Sequence, residues 1–271
     1  MTHPLYITPN WEVPAGVHAL MTTRLGGVSP PPYNSMNIGS TSGDTNDNVR
    51  QNKEQLSNWL KQQGLGQNSA CYLKQVHGTH ALNLNDSNIR HRMTKGEEPE
   101  ADACYTTTTG VLCAVRAADC MPVLIAVPGG VAAVHAGWRG LAQGIITKTL
   151  QQLLQATRQK AANATIWLGP CIGPQKFEVG ADVKEAFENQ HPNNRHAFQP
   201  LPDQTNKWLA NLPRLASEEL KRHGVHHIYT DERCTYTEET LFFSYRRDQQ
   251  KFGGTGRMIA CIWMSPPLSD K

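Results

Sequence analysis

No stretch of this 271-residue sequence stays apolar long enough to cross a bilayer. Its most apolar region, residues 111–138, is interrupted by Arg116, Asp119 and a Pro-Gly-Gly turn, and so reads as buried strands. No basic segment followed by an apolar run opens the chain, so no signal peptide is expected and the cytoplasm is the expected compartment. No C-x-x-C pair exists, and seven is an odd number of cysteines in a chain too long to need disulfide staples; reduced thiols are expected. Lys and Arg form no cluster, and the net charge is only +3, which argues against a nucleic-acid coat or a membrane-surface patch. There is no internal repeat, low-complexity tract or obvious linker.

What is present is the composition of a globular protein, 39% hydrophobic and 18% charged, long enough for one large domain or two small ones. Residues 22–44, rich in Gly, Pro, Ser and Asn, read as an ordered loop. Asp44, Asn46 and Asp47 then offer caps for a helix with Val49, Leu56, Trp59 and Leu60 on one face, stopped by Gly64. The middle is strand-rich: residues 70–76, 111–116, 122–127 and 130–136 are short apolar or alternating runs divided by Gly and Pro. A helix is expected over 140–157 and a strand over 164–169. Helices follow at 181–189 and 208–223, the second open to a break at Pro213. Strands at 242–245 and 257–264 close the pattern. Strands and helices mixed without strict alternation point to an α+β (mixed α/β) layered fold.

Three segments place a metal-capable side chain at the end of a strand or at the turn beside it: KQVHG with His77, RAADCMPVL with Cys120 between two strands, and VHAGWRG with His135. Catalytic zinc commonly takes three His, Cys or acidic ligands and leaves a fourth position open. The ligands are 43 and 15 residues apart, so no short-range signature binds them. Taken singly, Cys120 also reads as a small buried hydrophobe and each histidine as a structural one.

Read in order, TTRLGGVSPPPYNSMNIG, KQVHG, EADA, RAADCMPVL, VHAGWRG, GPCIGP, FEV and FFSYRRD resemble the family once labelled multicopper polyphenol oxidase or laccase-like. Its members were later described as purine nucleoside phosphorylases with adenosine deaminase activity and as peptidoglycan editing factors. The resemblance runs from about Thr22 to Met264. It implies a single domain over 1–271 with an α/β/β/α sandwich, and Zn2+ held by His77, Cys120 and His135. Purine nucleosides and phosphate are the implied partners, with no nucleic acid and no membrane, and a monomer or weak homo-oligomer is expected. The laccase label itself fits poorly. Copper favours imidazole, and multicopper oxidases use many, often as H-x-H; eleven histidines here include no such pair. Copper at the same three residues is a lesser alternative. The H-x-E and P-C-x-x-C signature of zinc deaminases is also absent, since Ile172, Gly173 and Pro174 follow Cys171.

Phosphate and ribose require cationic and amide donors. Arg24 in the Gly-rich loop and Arg139 at a turn opening a helix are candidates. Asn37, Lys74, Gln75 and Arg246 join them by motif position. Asp119 either orients a ligand and moves a proton or caps a turn. Trp138, Phe243 and Tyr245 are candidates to stack on a purine, and equally core aromatics. Cys171 reads either as a cleft residue or as a buried one. Two other functions stay open. Cys120 with a His base suits a cysteine hydrolase acting on a cell-wall precursor, and a zinc site filled by a fourth ligand, for which His80 lies close in sequence to His77, would suit a non-catalytic binding protein.

Overall fold

Strands buried on both faces, with alternate residues turned toward different cores, set the architecture. In a computed structural model that describes residues 5–62 and 72–265, chain order begins with strands β1 (Tyr6–Ile7) and β2 (Val17–Thr22) and helix α1 (Asn46–Gln62). Strand β3 (Ala81–Asn83), helix α2 (Ser87–Thr94) and strands β4 (Ala103–Thr106), β5 (Cys113–Ala117), β6 (Met121–Val127) and β7 (Gly130–Ala136) follow. Helices α3 (Trp138–Ala142) and α4 (Ile145–Thr157) lead to β8 (Thr165–Leu168), β9 (Glu178–Gly180) and α5 (Ala181–Glu188). The remainder is β10 (Phe198–Pro200), β11 (Lys207–Ala210), α6 (Leu212–Arg222), β12 (His227–Thr230), α7 (Tyr245–Phe252) and β13 (Met258–Met264).

Six strands form one sheet in the order β12-β8-β6-β7-β4-β3, four form a second in the order β1-β2-β13-β5, and β10-β11-β9 form a small third. Along β6, Val123 and Ile125 join a core under α4, α5 and α6, whose Leu150, Phe187 and Leu215 are buried there. The alternate residues Leu124 and Ala126 face the other way, into a core shared with Val115 of β5 and Ala260 and Ile262 of β13. Along β13, Ile259, Cys261 and Trp263 then point outward to Leu56 and Leu60 of α1. Alternation thus produces four layers, helix, sheet, sheet and helix, as the α/β/β/α expectation required.

Several elements differ from the sequence reading. Gly64, expected to stop α1, and the start of the 70–76 strand lie outside the described residues; from Tyr72 onward that segment makes only a single bridge, Lys74 to Glu100. The helix expected at 140–157 is two, because Gly144 turns left-handed at φ 79° between α3 and α4. Trp208 belongs to β11, and Pro213 sits in the first turn of α6 behind the cap Asn211, where a missing N–H costs nothing. The run 242–245 is not a strand; Ser244 caps α7 by accepting from the Arg247 amide.

Candidate metal centre

The sheet delivers two of the three metal-capable side chains. Cys120 immediately precedes β6 and His135 lies on its neighbour β7, where Pro122 and His135 are register partners. His77 comes from the turn beside them. Its backbone is left-handed at φ 61°, a conformation that costs energy outside glycine and is held here by one carboxylate. Asp102, fully buried, accepts from the amides of Val76 (3.2 Å), His77 (2.9 Å) and Gly78 (2.7 Å). The same carboxylate bonds Nδ1 of His135 at 2.8 Å. That bond fixes the ring and leaves Nε2 for a ligand, the usual carboxylate–histidine arrangement behind a metal.

The ligating atoms of His77, Cys120 and His135 all lie within 4.8 Å of one another. Cys120 Sγ and His77 Nε2 are 3.7 Å apart, and tetrahedral zinc with ordinary bond lengths places such a pair about 3.6 Å apart. Burial alone would push the Cys120 thiol up, but the two imidazoles beside it bring its pKa down to about 6. A thiolate is the form that binds metal. The donor set and its spacing therefore fit one zinc-type ion. His77 is exposed and Cys120 half-buried, so the cluster opens to solvent, as catalytic sites do and filled structural sites do not. Gly137 makes room for it: a Cβ there would stand 2.7 Å from His77 Cδ2 and 3.1 Å from Cys120 Sγ. His80 is not part of the cluster; its carbonyl accepts from the Asp102 and Ala103 amides.

The three donors line a cavity of about 530 Å³, the size of a small-molecule site. Lys74, Gln75, Arg139 and Arg246 line it too, together with Trp138, Phe177 and Tyr245. Gln75 spends both ends of its amide on the Arg116 backbone, at 2.8 Å each, and so pins the His77 turn to β5. Lys74 pairs with Glu100 at the surface. Two candidates are not among the lining residues. Arg24 donates to Asn34 and the Glu239 carbonyl and lies over the Phe243 ring, clasping the N-terminal loop. Asn37, fully buried, accepts from the Gly39 and Arg257 amides at 2.9 Å each. Phe243 and Cys171 are core residues.

Asp119 lines the cavity, yet its carboxylate is occupied. It accepts from Thr235 Oγ1 (2.6 Å), Ser244 Oγ (2.9 Å) and the Arg246 amide (2.6 Å). Burial raises its pKa and these donors oppose the rise. It therefore fastens α7 to the Cys120 turn. Sequence reasoning missed Asp102 and Arg257. Asp102 lay in the EADA segment with no spacing to mark it, and Arg257 was read only as the start of a strand.

Comparison with known proteins gives these residues a context. Residues 18–265 match the family model described as multi-copper polyphenol oxidoreductase laccase. Purine nucleoside phosphorylase YfiH of Shigella flexneri is 43% identical over 260 residues, covering 95% of this chain and 98% of that protein. Among solved structures, Neisseria meningitidis protein NMB0706 superposes with a TM-score of 0.85 at 40% identity, covering 97% of this chain and 100% of that one. YlmD from Geobacillus stearothermophilus follows with a TM-score of 0.82 at 33% identity, over 93% of each chain. With a family match over nearly its whole length and relatives this similar, the chain belongs to the family described as multi-copper polyphenol oxidoreductase laccase.

Proposed function

We propose that the protein is a zinc-dependent purine nucleoside phosphorylase that also deaminates adenosine. The observation that carries this reading is the open His77–Cys120–His135 cluster in a cavity lined by both aromatic and cationic side chains. The name of the Shigella relative supplies the substrate class. When bound there, zinc supplies a Lewis acid and activates water at neutral pH, the chemistry deamination needs. The protein's own groups do the rest. Trp138, Phe177 and Tyr245 offer flat apolar faces to a purine. Asp102 holds two of the three ligands in one geometry, and a fixed geometry limits the reorganisation left for the reaction. A multicopper reaction would need several metal sites; among the described residues one group of three such donors comes together.

A second reading rests on a specific contact. Cys120, His135 and Asp102 also form a nucleophile–base–orienter series, the arrangement of a cysteine hydrolase. Metal content separates the two, because a thiolate committed to zinc is not a free nucleophile.

The test is chromatographic product analysis of metal-replete protein with adenosine and inosine, with and without phosphate, beside His77→Ala. Phosphate-dependent free base and ribose 1-phosphate, together with inosine from adenosine, are expected from the native protein and absent from the variant. Absence of turnover on either nucleoside by protein carrying one zinc per chain would sink the assignment.

A further inference from the structure

The charges around the cavity do not balance. Of its two carboxylates, Glu98 is paired with Arg116 and Lys53, and Asp119 is consumed by Thr235, Ser244 and the Arg246 amide. Three guanidinium groups are left over. Among the described residues, none of Arg139, Arg246 and Arg257 makes an ion pair with a carboxylate. Arg139 lies over the Trp138 ring at 4.4 Å. Arg246 lies over the Phe177 ring at 5.6 Å and donates through Nη1 to the Glu178 carbonyl at 3.0 Å. Arg257 lies over the Tyr245 ring at 5.7 Å and donates through Nη1 to the carbonyls of Thr255 and Gly256 at 3.0 Å each. Among the described residues Nε and Nη2 of the last two make no hydrogen bond, and these are the forked donors that suit an oxyanion.

Each of the three is placed by separate structure. Arg139 stands on α3 just after Gly137. Arg246 is set by its amide bond to Asp119. Arg257 is set by its amide bond to Asn37, and Gly39 leaves it space, since a Cβ at Gly39 would be 2.7 Å from Arg257 Cγ. The series runs from an exposed rim at Arg139 to a half-buried inner end at Arg257. Burial lowers the Arg257 pKa, while Cys120 and Asp119 raise it and Arg116 adds to the lowering. No carboxylate lies in ion-pair contact with its guanidinium among the described residues, and a half-buried cation without such a partner favours an incoming anion.

We propose that Arg139, Arg246 and Arg257 form a seat for a phosphate dianion beside the metal donors. The proposal rests on the phosphorylase reading for its role. From this seat an oxygen of hydrogenphosphate forms a bond to the anomeric carbon as the bond to the base nitrogen breaks. The electron pair leaves on the base, and the proton of hydrogenphosphate passes to that nitrogen, giving neutral base and sugar phosphate. The chemistry recognised is a tetrahedral dianion, whether inorganic phosphate or the phosphate of the product ester.

Calorimetric titration of metal-loaded protein with inorganic phosphate, and separately with ribose 1-phosphate, tests the seat. Arg257→Gln and Arg139→Gln are compared with the native protein, and zinc per chain is measured in each. Arg139 is exposed, so its substitution leaves the core intact even where loss of Arg257 disturbs folding. The expected result is that Kd for both anions and KM for phosphate rise about tenfold or more, while zinc stoichiometry holds and KM for nucleoside changes about twofold at most. Phosphorolysis with an unchanged phosphate KM in both variants overturns the seat and leaves the activity standing. Phosphate binding lost in the variants, without phosphorolysis by the native protein, supports the seat and overturns the activity. No phosphate binding by the native protein at millimolar concentration overturns the seat outright.

Discussion

Glu98 is the residue through which one wall of the cavity is tied together. Its carboxylate accepts from Arg116 at 2.8 Å and Lys53 at 3.4 Å. Burial would raise its pKa, but the two cations outweigh that and hold it below its ordinary value. The stabilisation is therefore present above the unfolded carboxylate value, near about 4.3, and is lost as pH falls through the lower folded value. Glu98→Gln should cost about 1–2 kcal/mol at neutral pH, with the difference from the native protein shrinking below about pH 4. Urea midpoints across that range decide it, and a pH-independent difference would refute the ion-pair account. At this same scale the sequence was only partly readable. His77, Cys120 and His135 were visible because each lies at or beside the end of an apolar run and on a motif that carries the family resemblance. Asp102, which organises two of them, was not, because an acid between two alanines looks like any surface acid until three amides are seen to converge on it. Asp119 was noticed for its place beside Cys120, and proximity in sequence said nothing of its bonds to Thr235 and Ser244.

Among the elements, periodicity was reliable where a helix presents a broad apolar face to a sheet. Helix α1 is such a case, with Val49, Leu56 and Leu60 buried. Helix α7 is the contrary case: Asp248 is its one buried residue, so no apolar stripe announced it, and the preceding Phe242 and Phe243 imitated a strand. Their burial comes from packing within the inter-sheet core rather than from pairing. Leu56 and Leu60 of α1 pack with Met36 and Ile38 on the outer face of the four-stranded sheet, and neither leucine lines the metal cleft. Leu60→Ala is expected to lose about 2–5 kcal/mol by cavity formation while zinc per chain stays unchanged. Thermal unfolding and metal analysis on one preparation check both halves, and loss of metal at full folding would contradict the separation of layers.

For the whole molecule, the decisive fact is the placement of β13. It lies between β2 and β5, pairing antiparallel with both, although they precede it by more than a hundred residues. Its inward face supplies Met258, Ala260, Ile262 and Met264 to the core between the sheets, and its outward face meets α1. Deleting residues 258–271 should therefore abolish cooperative unfolding rather than lower its midpoint, since both neighbours become open edges and the inter-sheet core loses a wall. A truncated chain with a sharp native-like melting transition would refute this. The layering was legible in the sequence as strand-length apolar runs. The order of strands was not, since alternation says which way a side chain faces and nothing about which strand lies beside it.

That placement also bears on how the protein comes into being. On the ribosome, β2, α1 and β5 emerge long before the strand that joins them, so a nascent chain carries two unmatched edges through most of its synthesis. Arg257, immediately before β13, arrives equally late. The Arg257 end of the cleft is thus completed at the same moment as the core, so the pocket and the fold that holds it are finished together.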